Sequence, residues 1–148
     1  MVEYSRMNEQ KYDVEQLLKQ GIPVSFPIRG WSMYPFLSDG DMVTVEPLEE
    51  HIPSVNDAIL YRRINGPLVL HRLMKIDHKG YYFCGDNQTE IEGPLNRSQL
   101  LGILVSYTHN GKQVQSADSS YQLLTSVWRH MRPLRPVISK TVHKLKSH

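Results

Sequence analysis

Short segments of alternating apolar and polar residues dominate the chain between about residue 24 and residue 115. Alternation with a period of two indicates strands with one buried face, and clusters of Gly, Asn and Asp separate the segments as turns. Because no helical segments are interleaved, the sequence predicts a mainly β fold (β-rich α+β) with a mostly antiparallel, partly closed sheet or small barrel. The predicted strands are Val24–Ile28, Met42–Val45, Ala58–Ile64, Leu68–Ile76, Tyr81–Cys84, Leu101–Tyr107 and Lys112–Gln115.

Helical spacing of apolar residues appears only at the two ends of the chain. Residues Asn8–Gln20 predict a short helix, and Ser119 or Ser120 is placed to cap a second helix that ends before Pro133. A weaker helix is predicted over Val137–Lys146. We therefore expect an N-terminal helix over residues 1–21, one β domain over residues 22–115 and a basic helical tail over residues 116–148. The second helix carries Leu123, Leu124, Val127 and Trp128.

Composition narrows the class of protein. A chain of 148 residues with 40% apolar and 22% charged residues is long enough for one folded domain. Its apolar runs fall far short of the roughly 20 residues that span a bilayer, and Met1–Gln20 lacks the apolar centre of a signal peptide. The single cysteine, Cys84, excludes an internal disulfide. We expect a soluble, cytoplasmic protein.

Charge is distributed unevenly along the chain. All 15 acidic residues lie at or before Asp118, whereas six of the 17 basic residues follow it. Such asymmetry suggests that the tail contacts an anionic surface, which would be an anionic membrane bound peripherally, nucleic acid or an acidic partner. The alternative is a solvated, partly disordered end. Nothing but this charge supports nucleic-acid binding, so no specific nucleic acid is expected. The basic residues of the tail are Arg129, Arg132, Arg135, Lys140, Lys144 and Lys146.

Four blocks of sequence carry candidate chemistry. The segment from Gly30 to Val45 reads GWSMYPFLSDGDMVTV, and it is followed in order by Val55-Asn56-Asp57-Ala58-Ile59, Leu70-His71-Arg72-Leu73 and Gly85-Asp86-Asn87. In order and spacing these blocks resemble the signal peptidase and LexA-type serine peptidase superfamily. The resemblance covers Phe26 to about Gly102.

The resemblance implies a nucleophile and a base. Ser32 would be the nucleophile and His71 the general base, which is similar to the histidine branch of the superfamily found in endoplasmic-reticulum-type signal peptidases. Serine needs such a base because its hydroxyl is a poor nucleophile at its free pKa. A free imidazole, with a pKa of about 6.5, predicts activity that rises through roughly pH 6 to 7. The alternatives are that Ser32 is a turn residue and His71 a half-buried strand histidine.

The third catalytic group is open at this stage. Asp86 matches the family's Gly-Asp-Asn aspartate, but the later acidic pair of the family falls on Ile91 and Glu92. Asp86 could orient His71, Glu92 could do so through its longer side chain, or the site could be a Ser-His dyad; we expect Asp86 to matter more. Gly30 stands where many signal peptidases carry an oxyanion-binding serine, so the N–H of Ser32 would be the main oxyanion donor.

The resemblance also implies a substrate class. Residues Gly30, Trp31, Met33, Tyr34 and Pro35 would line the substrate site, although core packing is an equal alternative for the apolar ones. The implied function is serine endopeptidase on a leader or signal-like peptide or precursor protein, with no metal or organic cofactor. A short N-terminal part and the lack of an Ala-Gly bond disfavour LexA-like self-cleavage. The alternative is a non-catalytic peptide-binding or regulatory module on the same fold.

Overall fold

A computed structural model describes residues 13–134, and within this range the chain forms one antiparallel sheet flanked by two helices. No helix in this part of the chain is long and apolar enough to cross a membrane. Short 3-10 helices lie at Leu48–Glu50, Arg97–Gln99 and Arg132–Leu134. The main elements are α1 (Val14–Lys19), β1 (Val24–Pro27), β2 (Met42–Pro47), β3 (Ala58–Arg62), β4 (Leu68–Asp77), β5 (Gly80–Cys84), β6 (Glu92–Leu95), β7 (Leu100–His109), β8 (Lys112–Gln115) and α2 (Ser119–His130).

The sheet has the order β1-β2-β7-β3-β4-β5-β6, and β8 pairs with β7 beside this path. Every pairing is antiparallel, which confirms the predicted class of sheet. The described strands do not close into a barrel; the sheet remains open. The long strand β7 joins the two halves by pairing with β2 on one side and β3 on the other. This arrangement places β3 and β4 near the middle of the sheet.

The predicted strands are all present, with ends that differ by a few residues. One further strand, β6, was not predicted, because its Gly93-Pro94 pair disfavours a strand assignment from sequence. Helix α2 begins at Ser119 with Asp118 at the N-cap position, so the cap is not one of the two predicted serines. The start of the predicted N-terminal helix, before residue 13, and the predicted helix over Val137–Lys146 lie outside the described residues.

The core lies on both faces of the central strands. One apolar cluster includes Leu60, Leu68 and Leu70, and a second cluster on the opposite face includes Tyr61 and Val69. Alternate residues of a strand point to opposite faces, so β3 and β4 are covered on both sides. All residues from Leu68 to Leu73 are consequently buried.

Helix α2 packs on the sheet through polar and aromatic side chains. Tyr121 and Thr125 are buried, whereas Leu123, Leu124 and Val127 are 66%, 59% and 49% exposed. The apolar residues of the helix therefore point outward. The buried face is held instead by hydrogen bonds to the body of the fold, among them those from Arg72 to the Tyr121 hydroxyl and from Asn56 to the Thr125 hydroxyl.

Candidate active site

Ser32 lies in the turn that follows β1. The turn is anchored by Met33 and Leu37, which are buried in the core, while Trp31 is 55% exposed. Gly30 begins the turn with φ of 88°, a left-handed conformation that glycine adopts without the strain of a side chain. Its N–H donates to Asp39 Oδ1 at 2.7 Å. Burial on one side and this hydrogen bond on the other hold the Ser32 backbone in place.

The Gly85-Asp86-Asn87 block packs against the same turn. The Asn87 N–H donates to the Ser32 carbonyl at 2.9 Å. A Cβ atom added at Gly85 would lie 2.6 Å from that carbonyl oxygen, so a side chain at this position would displace the turn. Among the described residues, neither the hydroxyl nor the N–H of Ser32 has a hydrogen-bond partner. Both groups are therefore free to act on a bound substrate.

His71 lies in the middle of β4, opposite Ile59 of β3. Its side chain shares the sheet face of Val69 and is only 4% exposed. Burial, followed by the positive charge of Arg63, lowers the pKa of His71 from 6.5 to about 4, although Glu92 and Asp86 act in the opposite direction. The imidazole is consequently neutral at pH 7. The expected rise in activity through pH 6 to 7 assumed a free imidazole, and His71 is buried instead.

Tyr61 links His71 to Glu92. The Tyr61 hydroxyl lies 3.1 Å from His71 Nδ1 and donates to Glu92 Oε1 at 2.6 Å. Arg63 holds the same carboxylate with two N–H groups, Nε to Oε2 at 2.8 Å and Nη2 to Oε1 at 3.1 Å. Burial raises the pKa of Tyr61, and the hydrogen bond to Glu92 raises it further. The tyrosine is therefore a protonated donor at neutral pH.

Asp86 contacts Arg72 rather than His71. Arg72 points to the opposite face of β4 and binds both carboxylate oxygens, at 3.1 Å and 2.7 Å. The two side chains are each 1% exposed. Burial by itself lowers the pKa of Arg72, but Asp86 and Tyr121 outweigh it and leave the pKa raised. Of the two candidate carboxylates, only Glu92 is connected to His71 through hydrogen bonds.

Ser32 and His71 line the same cavity, which has a volume of about 210 Å³. A second depression of about 610 Å³ is also lined by His71 and includes Glu92. Of the five predicted substrate-site residues, Gly30 and Met33 line the smaller cavity, whereas Trp31, Tyr34 and Pro35 do not. Trp31 and Tyr34 instead make an edge-to-face contact within the turn that contains Ser32. The other residues of the small cavity are Ile28, Arg29, Arg63, Pro67, Val69, Leu70 and Gln88.

Neither a lysine base nor a metal cluster is found at this cavity in the described part of the chain. Lys75, the nearest lysine to His71 in sequence, is 64% exposed and pairs with Asp77 at 3.5 Å. Within residues 13–134, no group of three or more His, Cys, Asp or Glu side chains could hold a metal ion. The polar side chains that line the cavity are those of Arg29, Ser32, Arg63, His71 and Gln88.

The open antiparallel sheet thus brings a turn serine and a buried histidine to one cavity of a β-rich domain. The family model described as Peptidase S24-like matches residues 4–105. Because this match covers more than half of the chain, the chain belongs to the Peptidase S24-like family. No curated protein matches the sequence. Family membership agrees with the predicted superfamily and indicates serine peptidase or LexA-like activity.

Tyr61 and Arg63 are not among the site residues predicted from the sequence. Both lie in or just after β3, which was assigned only as a strand. The register that pairs Ile59 with His71 also pairs Tyr61 with Val69, so Tyr61 is a diagonal neighbour of His71 on the same face. The hairpin turn at Asn65-Gly66 was the available signal. Because Pro67 leaves the type of this turn undetermined, the register between β3 and β4 could not be predicted from the sequence.

Proposed function

We propose that the protein is a serine endopeptidase that uses Ser32 as nucleophile and His71 as general base. The observation that carries the proposal is the cavity shared by a neutral imidazole and a serine hydroxyl that has no hydrogen-bond partner within residues 13–134. Membership of the Peptidase S24-like family supports the same reaction class. Because the proposed base is a histidine, the proposal includes the resemblance to the histidine branch.

The proposed reaction proceeds through an acyl-enzyme. His71 Nε2 takes the Ser32 hydroxyl proton while the Ser32 Oγ bonds to the substrate carbonyl carbon. The Ser32 N–H donates to the resulting oxyanion. The imidazolium then returns its proton to the leaving amine as the C–N bond breaks, and water, deprotonated by His71, releases the acid product. Each turnover consumes one water and restores both residues.

The cavity suits a small side chain of a peptide substrate. Its volume of about 210 Å³ is below the roughly 300 to 1,000 Å³ typical of pockets for drug-sized ligands. Its walls include Ile28, Val69 and Leu70, which are apolar. An extended peptide added beside a strand would place one side chain in it. A leader or signal-like peptide with a small residue before the cleaved bond is therefore the proposed substrate.

A peptide library with mass-spectrometric detection of new termini tests this function. We expect wild type to cleave after small residues and Ser32→Ala to lose cleavage by several orders of magnitude. Ser98→Ala removes an exposed hydroxyl in a short 3-10 helix and serves as the matched control. Cleavage that survives in Ser32→Ala would contradict the proposal. Since the family includes members without catalysis, peptide binding with no cleavage by wild type would favour the non-catalytic alternative.

A further inference from the structure

The hydrogen bonds around Tyr61 determine which nitrogen of His71 carries a proton. A tyrosine hydroxyl has one hydrogen to donate, and an ionised carboxylate can only accept. The Tyr61 hydrogen is directed to Glu92 Oε1. The contact between the Tyr61 oxygen and His71 Nδ1 is therefore a hydrogen bond only if Nδ1 carries the proton and donates.

Arg63 fixes the polarity of this chain of hydrogen bonds. Its guanidinium occupies both oxygens of Glu92, and a guanidinium offers only donors. Burial of Glu92 acts to raise its pKa, but the hydrogen bonds from Arg63 and Tyr61 outweigh this and lower it. Glu92 is thus ionised at neutral pH and cannot donate to Tyr61. Each donor in the chain points from His71 towards Glu92.

We propose that Tyr61 and Glu92 are a positioning pair that holds the neutral His71 imidazole in its Nδ1–H form, leaving Nε2 as the ring nitrogen that accepts the Ser32 proton. The proposal rests on the proposed peptidase function for its catalytic consequence. It gives to Glu92, acting through a tyrosine, the orienting role that an aspartate plays by direct contact in a Ser-His-Asp triad. Asp86 instead forms the buried ion pair with Arg72.

The Tyr61 hydroxyl, from β3, contacts the His71 ring, and three charged groups act on it electrostatically: Arg63 from the turn after β3, Glu92 from β6 and Asp86 from the loop after β5. Only the tyrosine makes a hydrogen bond to the ring among the described residues. Removing the Tyr61 hydroxyl or reversing its direction should therefore change the tautomer without removing the ring. This makes the tautomer itself a direct readout of the pair.

Glu92→Gln is the most informative variant, because it keeps the shape of the side chain. We expect the amide oxygen at the Oε2 position, where it keeps the 2.8 Å hydrogen bond from Arg63 Nε. The amide NH₂ then takes the Oε1 position, gives up the 3.1 Å bond from Nη2 and faces the Tyr61 oxygen. The tyrosine hydrogen then points to His71 Nδ1, and the ring must carry its proton on Nε2. A base with a protonated Nε2 cannot accept from Ser32. We expect kcat to fall by at least about 10²-fold, within the range of a lost general base, while KM stays unchanged.

The tautomer can be read by ¹⁵N NMR of the histidine rings at neutral pH, with His71 assigned by loss of its signals in His71→Gln. We expect the Nδ1–H form in wild type, the Nε2–H form in Glu92→Gln and a mixture in Tyr61→Phe, which keeps the ring packed 4.5 Å from Phe83. Tyr107→Phe is the matched control, since it removes another buried tyrosine hydroxyl, on β7. That control should keep the wild-type tautomer.

The results separate this inference from the peptidase proposal. An Nε2–H ring in wild type, or a Glu92→Gln variant that keeps both the Nδ1–H form and full kcat, would overturn the positioning pair and leave Ser32 catalysis standing. Conversely, the predicted tautomers in a chain that cleaves no peptide would support the pair and contradict the peptidase. If Glu92→Gln does not fold, Tyr61→Phe gives the same decision, because loss of the pure Nδ1–H form is required there too.

Discussion

Burial gives His71 a pKa well below that of an ordinary histidine side chain. With its pKa lowered to about 4, chiefly by burial, the imidazole is already deprotonated at pH 5 to 6. We expect kcat/KM to rise with pH through about 4 and to be level near pH 7, as long as the protein stays folded. The measurement is a pH profile on a peptide from the library experiment. A rise centred at about 6.5 would contradict the buried site.

The same group makes stability depend on pH. The unfolded chain binds a proton on His71 below about pH 6.5, whereas the folded protein does so only below about pH 4. The contribution of His71 to the free energy of unfolding is therefore fully present above about pH 6.5 and is lost as pH falls towards 4. For this shift in pKa the loss is about 3 kcal/mol. Urea unfolding at several pH values checks this against His71→Gln, which should lose less stability over the window. Equal losses in the two proteins would contradict it.

At the level of elements, the hairpin of β3 and β4 explains how much of the site could be predicted from sequence. The four motif blocks identified Ser32 and His71, and the period of two placed His71 on the face of Val69, as observed. The neighbour that touches the ring, Tyr61, depends on strand register instead. Register follows from turn geometry and burial on both faces, which a single sequence containing Pro67 does not determine.

Helix α2 is present where the helical spacing of its apolar residues predicts it, but its leucines do not make its contacts with the fold. The helix is held by Tyr121, whose hydroxyl accepts from Arg72 at 2.9 Å, and by the Trp128 indole, which donates to the Asp86 carbonyl at 2.6 Å. Thr125 accepts a further hydrogen bond from Asn56 at 2.9 Å. These partners lie far apart in sequence, so the pattern of apolar residues carries no signal for them. The buried pair of Arg72 and Asp86 thus connects the helix to the site.

Removing the charge of Asp86 tests its role at this scale. Asp86→Asn leaves the buried Arg72 guanidinium without its counter-charge, and we expect the free energy of unfolding to fall by about 3 to 5 kcal/mol. Turnover per folded molecule should change less than in Glu92→Gln. Chemical denaturation and activity are measured together, with Asp118→Asn at the exposed helix N-cap as control. Full stability with lost turnover would instead make Asp86 the orienter of His71.

For the whole molecule, the outward face of α2 and the basic tail form a candidate membrane contact. We propose that Leu123, Leu124 and Val127 insert into an anionic lipid surface, because no acidic residue follows Asp118 and six basic residues do. The full chain should co-sediment with anionic vesicles and less with neutral ones, and added salt should weaken the binding. Leu124→Glu should reduce it further.

Gln113→Glu is the control for that experiment, because it adds the same charge on the exposed strand β8, away from the helix. This variant should bind anionic vesicles as wild type does. Equal binding by Leu124→Glu and Gln113→Glu would contradict insertion of the helix face. Lack of binding by wild type would remove the membrane proposal without affecting the peptidase.

The central claim is that His71 activates Ser32, and covalent labelling tests it most directly. A fluorophosphonate reacts with a serine hydroxyl that a neighbouring base has activated, and it requires no knowledge of the substrate. Intact-mass and peptide mass spectrometry should find one adduct, on Ser32, in wild type and in Ser98→Ala, and none in Ser32→Ala or His71→Gln. Folded wild-type protein that remains unlabelled, or labelling of Ser32 at an equal rate in His71→Gln, would contradict the account.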